Sequence, residues 1–313
     1  MSTVVSAAQL SARRRLSNRR ETVAALLFIS PWILGFLIFT VWPVIYSGYL
    51  SFTDYDVIND PNFVGLENYV TMFEDPRIAL SLTNTLIYTI LSVPAHIIVA
   101  LALAMLLLRA ARASGFFRTV FFLPKMTPAV AVGVLFLLLF NGQDGLINKM
   151  LRAIGLPAPY WTTDPFWVKP GLVLISLWAM GSSIVILLAA LKNVPVELYE
   201  SARIDGANLW QQTTRITVPM ISSTIFFLVI INTIAGFQMF TEAYTAFFGS
   251  GNTTYSNDAA LFFVIYLFQQ GFEFLNMGYA SAMAWLLFLV ITIFTVVQFV
   301  VSRRLVYYEG DQR

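Results

Sequence analysis

The stretch "ELYESARIDGANLW", residues 197–210, is a polar island in an apolar chain. It holds three acids (Glu197, Glu200, Asp205), Arg203, Asn208, Gly206 and Trp210, and long apolar runs lie on either side. Pro195 marks a helix start. Glu197 falls in the first turn, where a carboxylate meets the positive end of the helix dipole. Leu198, Ala202 and Ile204 give that helix an apolar side. Gly206 then permits a left-handed turn that a side chain would resist, and a second short helix can start from Ala207. The stretch predicts a compact helix–turn–helix knob. Its charges balance, with Lys192, Arg203 and Arg215 against Glu197, Glu200 and Asp205. A neutral knob suits a groove on a protein partner better than a lipid surface, which favours net positive charge.

The flanking sequence decides where the knob sits. The chain has 313 residues, 58% hydrophobic and 12% charged, against a charged share of about 25% in soluble domains. Mean hydropathy is +0.73. The apolar residues gather into six runs, at 24–50, 82–108, 120–140, 171–191, 218–240 and 280–301. Each is long enough to cross a bilayer, which takes about 20 residues of helix. A seventh stretch, 259–268, is apolar but short and reads as an interfacial or partly re-entrant helix. The expected fold is all-α, a polytopic membrane protein with six transmembrane helices. The basic start followed by an apolar run has the outline of a signal peptide. The run is too long for one and no small-residue cleavage site follows, so it reads as a retained first span. The Arg- and Ser-rich, acid-poor start has something of a transit peptide too; a cytoplasmic basic anchor explains it equally well.

Lysine and arginine set the orientation. With both termini cytoplasmic, fourteen of the nineteen basic residues fall on the cytoplasmic side. Four (Arg77, Lys149, Arg152 and Lys169) fall outside, and Lys125 lies within a span. The loop with Lys149, Arg152 and Lys169 fits least well. The first external loop is acidic, with Asp54, Asp56, Asp60, Glu67, Glu74 and Asp75. The knob is then cytoplasmic. A net charge of +2 gives no argument for nucleic acid.

Polar groups inside spans are costly and therefore candidates for function. Lys125 in "FFLPKMTP" lies between Pro124 and Pro128, so its helix should be kinked; it either lines a polar pathway or snorkels and pairs with a partner helix. His96 reads more readily as a packed, hydrogen-bonded residue than as a ligand. With one histidine and no cysteine, a metal site is not expected. The fifth span carries Asn232, Thr233, Gln238, Thr241 and Glu242. Gln238 and Glu242 are spaced i, i+4, as if on one helix face. This face either hydrogen-bonds a hydroxylated solute or serves as interhelical glue. No phosphate loop, HExxH or G-x-S-x-G elbow is present.

Residues 200–219, "ESARIDGANLWQQTTRITVP", closely resemble the EAA loop of bacterial ABC-importer permeases. Glu200, Ala202, Asp205, Gly206, Ala207, Ile216 and Pro219 match its pattern. Ser201 stands for the middle alanine, and Thr213 replaces a usual phenylalanine. "SFTDYD", "FVGLENY", "NTLIYT", "FFRTVFFLP", "FNGQDGLIN" and "MGYASAMAWLLFL" are similar to the carbohydrate-uptake subfamily, the maltose- and glycerol-phosphate-type permeases. The resemblance covers all but about the first twenty residues and the tail. It implies a heterodimer of two related permeases, two copies of a cytoplasmic ATPase and an extracytoplasmic solute-binding protein, in a bacterial plasma membrane. Glu200, Ser201, Ala202, Asp205, Gly206 and Ala207 would form the coupling helix that docks into the ATPase. ATP and Mg would be bound by that partner, with no cofactor in this chain and no ATPase site of its own.

The resulting expectation is a permease subunit moving a sugar or related polyol inward by alternating access. It has a cytoplasmic basic segment at 1–23, a transmembrane domain at 24–302 with its coupling loop at about 192–219, and a cytoplasmic tail at 303–313. Lys125, Asn232, Gln238 and Glu242 are the candidates for the substrate pathway. The alternative is an ion-coupled secondary transporter, which needs paired acids or broken helices in two repeated halves. One lysine, the rim-placed Glu242 and no clear repeat argue against it.

Overall fold

The computed structural model describes residues 7–109, 114–249 and 257–305, with side chains for 21–109, 115–249 and 258–303. The side chains of the N-terminal arginines, of Arg112 and of the tail from Arg304 onward lie outside the described residues. The expected basic segments are therefore not placed.

The described elements are mostly helical. α1 (Ala7–Phe36) passes through a wide π-helical turn at Leu37–Val41 into α2 (Trp42–Leu50). Within Glu21–Leu50 the most apolar 18-residue stretch holds no buried residue, and Leu50 at the end is buried. The rod meets the body near its end, where Gly48 faces the Trp285 ring. A short antiparallel pair follows, β1 (Thr53–Asp54) and β2 (Asn62–Phe63), and then α3 (Glu67–Glu74). These mark the hairpin end of the molecule.

The spine is α4 (Pro76–Arg109), 34 residues or about 51 Å at 1.5 Å per residue. Two apolar clusters pack on it. Tyr88 on its first half joins Phe136, Phe237, Phe247, Phe263 and Met283. Ile97, Ala104 and Leu107 on its second half join Leu187, Leu188 and Leu228. The clusters divide near Ser92, halfway along α4.

Two of the expected spans are sharply broken. α5 (Ser114–Phe122) and a tight turn at Leu123–Met126 meet α6 (Ala129–Leu139) at 97°. Pro128 has no N–H to donate and forces Thr127 into extended backbone (φ −71°, ψ 128°). Lys125 is thus in the break, not within a helix crossing the membrane. After α7 (Leu146–Ala153), α8 (Pro165–Ser176) and α9 (Gly181–Lys192) meet at 59°. Counting each bent pair once, the described residues hold up to six helical segments apolar enough to cross a membrane; the other four, Glu21–Leu50, Pro76–Arg109, Ser222–Phe247 and Met277–Arg303, are not such bent pairs.

α10 (Val196–Ile204), α11 (Leu209–Gln212) and α12 (Val218–Met220) build the opposite, knob end. α13 (Ser222–Phe237) then stops short of the expected 240, and α14 (Thr241–Phe247) restarts beyond a break. Phe240, at φ −141° and ψ −71°, lies outside the helical region. The expectation that Gln238 and Glu242 sit one turn apart on a continuous helix is therefore corrected. α13 approaches α4 closely at Gly236, where a Cβ would stand 2.9 Å from Thr89 Oγ1.

The short stretch at 259–268 becomes α15 (Asn257–Ala260) and α16 (Phe263–Phe268). An interfacial helix keeps one face wet, yet Ala260, Leu261, Phe262, Phe263 and Ile265 are all 0% exposed. The segment is inserted into the protein, which excludes the interfacial reading. Its backbone breaks between the two helices, and α4 satisfies the break. Asn84 Nδ2 donates to the carbonyls of Asp258 (2.8 Å) and Leu261 (3.1 Å), and Phe263 N–H donates to Thr85 Oγ1 (2.9 Å). α17 (Met277–Leu305) completes the body.

Leaving a buried acceptor unpaired costs about 1–3 kcal/mol. Asn84→Ala is expected to destabilise the detergent-solubilised protein by at least about that much, read as a lowered midpoint in tryptophan-monitored thermal unfolding. An unchanged midpoint would show that water or another group satisfies both carbonyls.

Candidate functional site

The knob is built by local rules. α10 ends in a Schellman motif: Ala207 N–H donates to Ala202 O (2.8 Å) and Gly206 N–H to Arg203 O (3.1 Å). This needs a left-handed residue, and Gly206 has φ +78°. α11 then opens on a capping box. Asn208 Oδ1 accepts from Gln211 N–H (2.9 Å), and Gln211 Oε1 accepts from Asn208 N–H (2.8 Å). Gln212 Nε2 donates to Ala207 O (2.8 Å) and locks the turn. Tyr199 and Thr217 share a hydroxyl hydrogen bond of 2.9 Å, while Tyr199 and Ile216 pack on the second apolar cluster.

Glu200, Ser201, Asp205 and Gly206 are exposed, and Ala202 and Ala207 half-buried. The apolar side expected of α10 faces outward in part, since Ile204 is 87% exposed and Trp210 on α11 is 75% exposed. The knob therefore presents a rigid outer surface of mixed polar and apolar groups.

A cavity of about 300 Å³ lies where the two apolar clusters divide. Lys125, Asn232, Gln238 and Glu242 all line it, as do Ser92 and His96. Three helix breaks converge there: Lys125 belongs to the first, Ala179 to the second, and Gln238 to Thr241 to the third. Irregular backbone in a membrane domain is tolerated where protein or a water-filled cavity satisfies it.

The polar residues of the fifth span divide between roles. Thr233 is interhelical glue, accepting from Gln298 Nε2 at 2.8 Å. Asn232 donates back to Leu228 O at 2.8 Å. His96 Nε2 lies 3.2 Å from Ser183 Oγ, so it is a packed, hydrogen-bonded residue that also borders the cavity. Tyr88, Ser92 and Ser176 also line it and were missed in the sequence. Tyr88, Ser92 and His96 recur every four residues, a polar stripe on an apolar helix that could have been read.

At the hairpin end, the Asp75 carboxylate accepts from the Tyr266 and Tyr279 hydroxyls, pinning α16 and α17 to the start of α4. Burial and this carboxylate push the Tyr266 phenol up to about 12. Hydrogen bonds from Asn59 hold the Asp56 carboxyl below its usual range at the hairpin tip. On α7, buried Asn148 donates to Gly142 O and Pro159 O in the loop segments flanking that helix, each at 2.8 Å, and accepts from Trp161 Nε1. Arg152 donates to Gly142 O and Gln143 O of the segment before α7.

Residues 81–307 match the family of binding-protein-dependent transport system inner membrane components. A probable ABC transporter permease protein of Bacillus subtilis (strain 168), YesP, is 39% identical over 303 residues, 96% of this chain and 97% of that one. The lactose transport system permease protein LacF of Rhizobium radiobacter is 34% identical over 292 residues, 91% and 96% of the two chains. Among solved structures, a bacterial alginate ABC transporter in complex with an alginate pentasaccharide-bound periplasmic protein contains a similar chain. Its TM-score is 0.77 at 26% identity, over 92% of this chain and 96% of that chain. With the knob, the broken spans and these likenesses in hand, the chain belongs to the inner-membrane permeases of binding-protein-dependent ABC importers.

Proposed function

We propose that this chain is one of two permease subunits in an importer for a sugar or related polyol, with two copies of an ATPase on the knob side. The single observation that carries the reading is mechanical continuity. The knob runs through α12 into α13, and α13 carries Asn232 to the cavity and ends at the Gln238 break. Movement of the knob is thereby transmitted to the cavity wall. The saccharide names of the relatives, including lactose and alginate, support the solute class.

In this reading both bent pairs are single spans, giving six, with both termini cytoplasmic in a bacterial plasma (inner) membrane. The transmembrane domain is 24–302, between a cytoplasmic segment 1–23 and tail 303–313. Loop 192–219 is the coupling element, and Glu200, Ser201, Ala202, Asp205, Gly206 and Ala207 are its docking residues. ATP and Mg are held by the partner ATPase, and this chain itself performs no hydrolysis. The hairpin end meets the solute-binding protein. ATP-driven closure of the ATPases draws the two permeases' knobs together and opens the cavity outward; release reverses it. Arg152, an exception to the positive-inside count, serves here to cross-link its own external loop.

Gly206→Val places a β-branched side chain at φ +78°, where left-handed backbone costs roughly 1–2 kcal/mol and more for a branched residue. The complex should insert normally but lose ATP-driven uptake in proteoliposomes; normal uptake would sink the docking role of the turn. For topology, single cysteines replacing Arg203, Asp56 and Asp144 are informative because the native chain has none. An impermeant thiol reagent applied to intact cells should label positions 56 and 144 and spare 203. Labelling of 203 from outside would overturn the orientation. For the cavity, Gln238→Ala and Glu242→Ala should each weaken apparent solute affinity about ten- to hundredfold, the effect of losing a bond worth about 1–3 kcal/mol. Unchanged affinity and rate in an assembled complex would return these residues to a packing role.

A further inference from the structure

The cavity is electrically two-ended. Ala243, beside Glu242, is buried in the hairpin-side apolar cluster, whereas Phe121, four residues before Lys125, packs against the knob-side cluster. Tyr88 and His96 stand eight residues apart on α4, about 12 Å along the helix axis. An acidic end therefore lies toward the hairpin and a basic end toward the knob.

The two charges are not equally provided for. Glu242 is in the first turn of α14, where free N–H groups and the helix dipole favour a carboxylate. Lys125 takes part in no ion pair or hydrogen bond with a described residue. Among the described residues, Glu242 is the one carboxylate that lines the cavity with it; Ser92, Ala129, Ser176 and Ala179 carry no charge. Pro124 and Pro128 flank it and fix its backbone, so the ammonium is presented from a stiff turn. When the cavity closes on a solute, water leaves the ammonium, and a buried charge is costly unless paired and hydrogen-bonded. The hydroxyls of a neutral sugar accept hydrogen bonds but bring no counter-charge.

We infer that Lys125 is the specificity residue of this pathway and selects sugars or polyols that carry an anionic group. The inference rests on the proposed role of the cavity as the solute pathway. The anionic group enters toward the knob end and meets Lys125. The hydroxyl-bearing remainder lies against Asn232, Gln238 and Glu242, whose amides and carboxylate donate to and accept from hydroxyls. A lysine is a point charge without a planar fork, so a carboxylate and a phosphate ester satisfy it alike.

The test uses the complete importer, with its ATPase and binding protein, in ATP-loaded proteoliposomes. The probes are a galacturonic-acid disaccharide, a hexose phosphate and the neutral galactose disaccharide. At least one anionic probe should accumulate, and the neutral one roughly tenfold more slowly or worse; the two anionic arms distinguish carboxylate from phosphate. Lys125→Met should lower anionic uptake by roughly 10- to 100-fold, the loss of a charge-assisted hydrogen bond, and Lys125→Arg should restore most of it. Wild-type preference for the neutral probe, unchanged anionic uptake by Lys125→Met, or failure of that variant to co-purify with the ATPase overturns the inference. Asn232→Ala and Gln238→Ala run alongside. If they lower uptake while Lys125→Met does not, the cavity is the pathway and only the charge reading falls. If no variant alters uptake of any probe, or none of the probes is taken up, both fall together.

Discussion

A side-chain amide holds together the part of this fold that is hardest to build. Asn84 donates both its N–H groups to carbonyls at the break between α15 and α16. In an apolar setting each backbone donor and acceptor must find a partner within the protein, and a broken helix exposes several at once. Thr85, the next residue of α4, takes the Phe263 N–H. Two adjacent polar residues on the spine thus make it feasible to bury a non-helical segment. The aromatic core formed by Phe262, Phe263 and Tyr88 depends on that arrangement.

The same constraint explains where the cavity is. Three helices break at a common level along α4, and each break turns irregular backbone and its polar side chains toward one space. On either side of it the packing is apolar, interrupted on the hairpin side by the α15–α16 break that Asn84 and Thr85 satisfy. Gly236 against Thr89 shows how closely α13 approaches α4 beside the cavity. A polar chamber between two dry clusters can open to either side if the helices that break there pivot, and alternating access requires that property. The knob is held by local bonds by contrast: the Schellman turn, the capping box and the Gln212 clasp satisfy end groups of α10 and α11 within the knob itself. Under the proposed coupling role, this knob is the part that would pass displacement to the spans that break at the cavity.

Much of this was legible in the residues themselves. Span-length hydropathy identified the long helices, because burial in lipid demands about 20 apolar residues whatever the tertiary fold. Pro195, Gly206 and the polar run between them set the knob, because caps and left-handed turns are decided within a few residues of chain. Pro124 and Pro128 announced the break at Lys125. Lys125, Asn232, Gln238 and Glu242 stood out as polar groups in apolar runs.

Other features were settled only by packing in three dimensions. The bend at 177–180 has no proline within it, and α13 ends at Phe237 where the apolar run continues. Helical periodicity assumed one unbroken helix and so placed Gln238 and Glu242 a turn apart. They share a cavity wall because the chain folds around the break between them. The stretch at 259–268 was too short to span and equally suited to the membrane surface; the partners for its carbonyls lie some 174 residues earlier, on α4. Hydropathy and caps are local energies that a sequence states directly. Which distant side chain satisfies a broken backbone, and which polar groups meet in one cavity, depend on how the helices pack against one another.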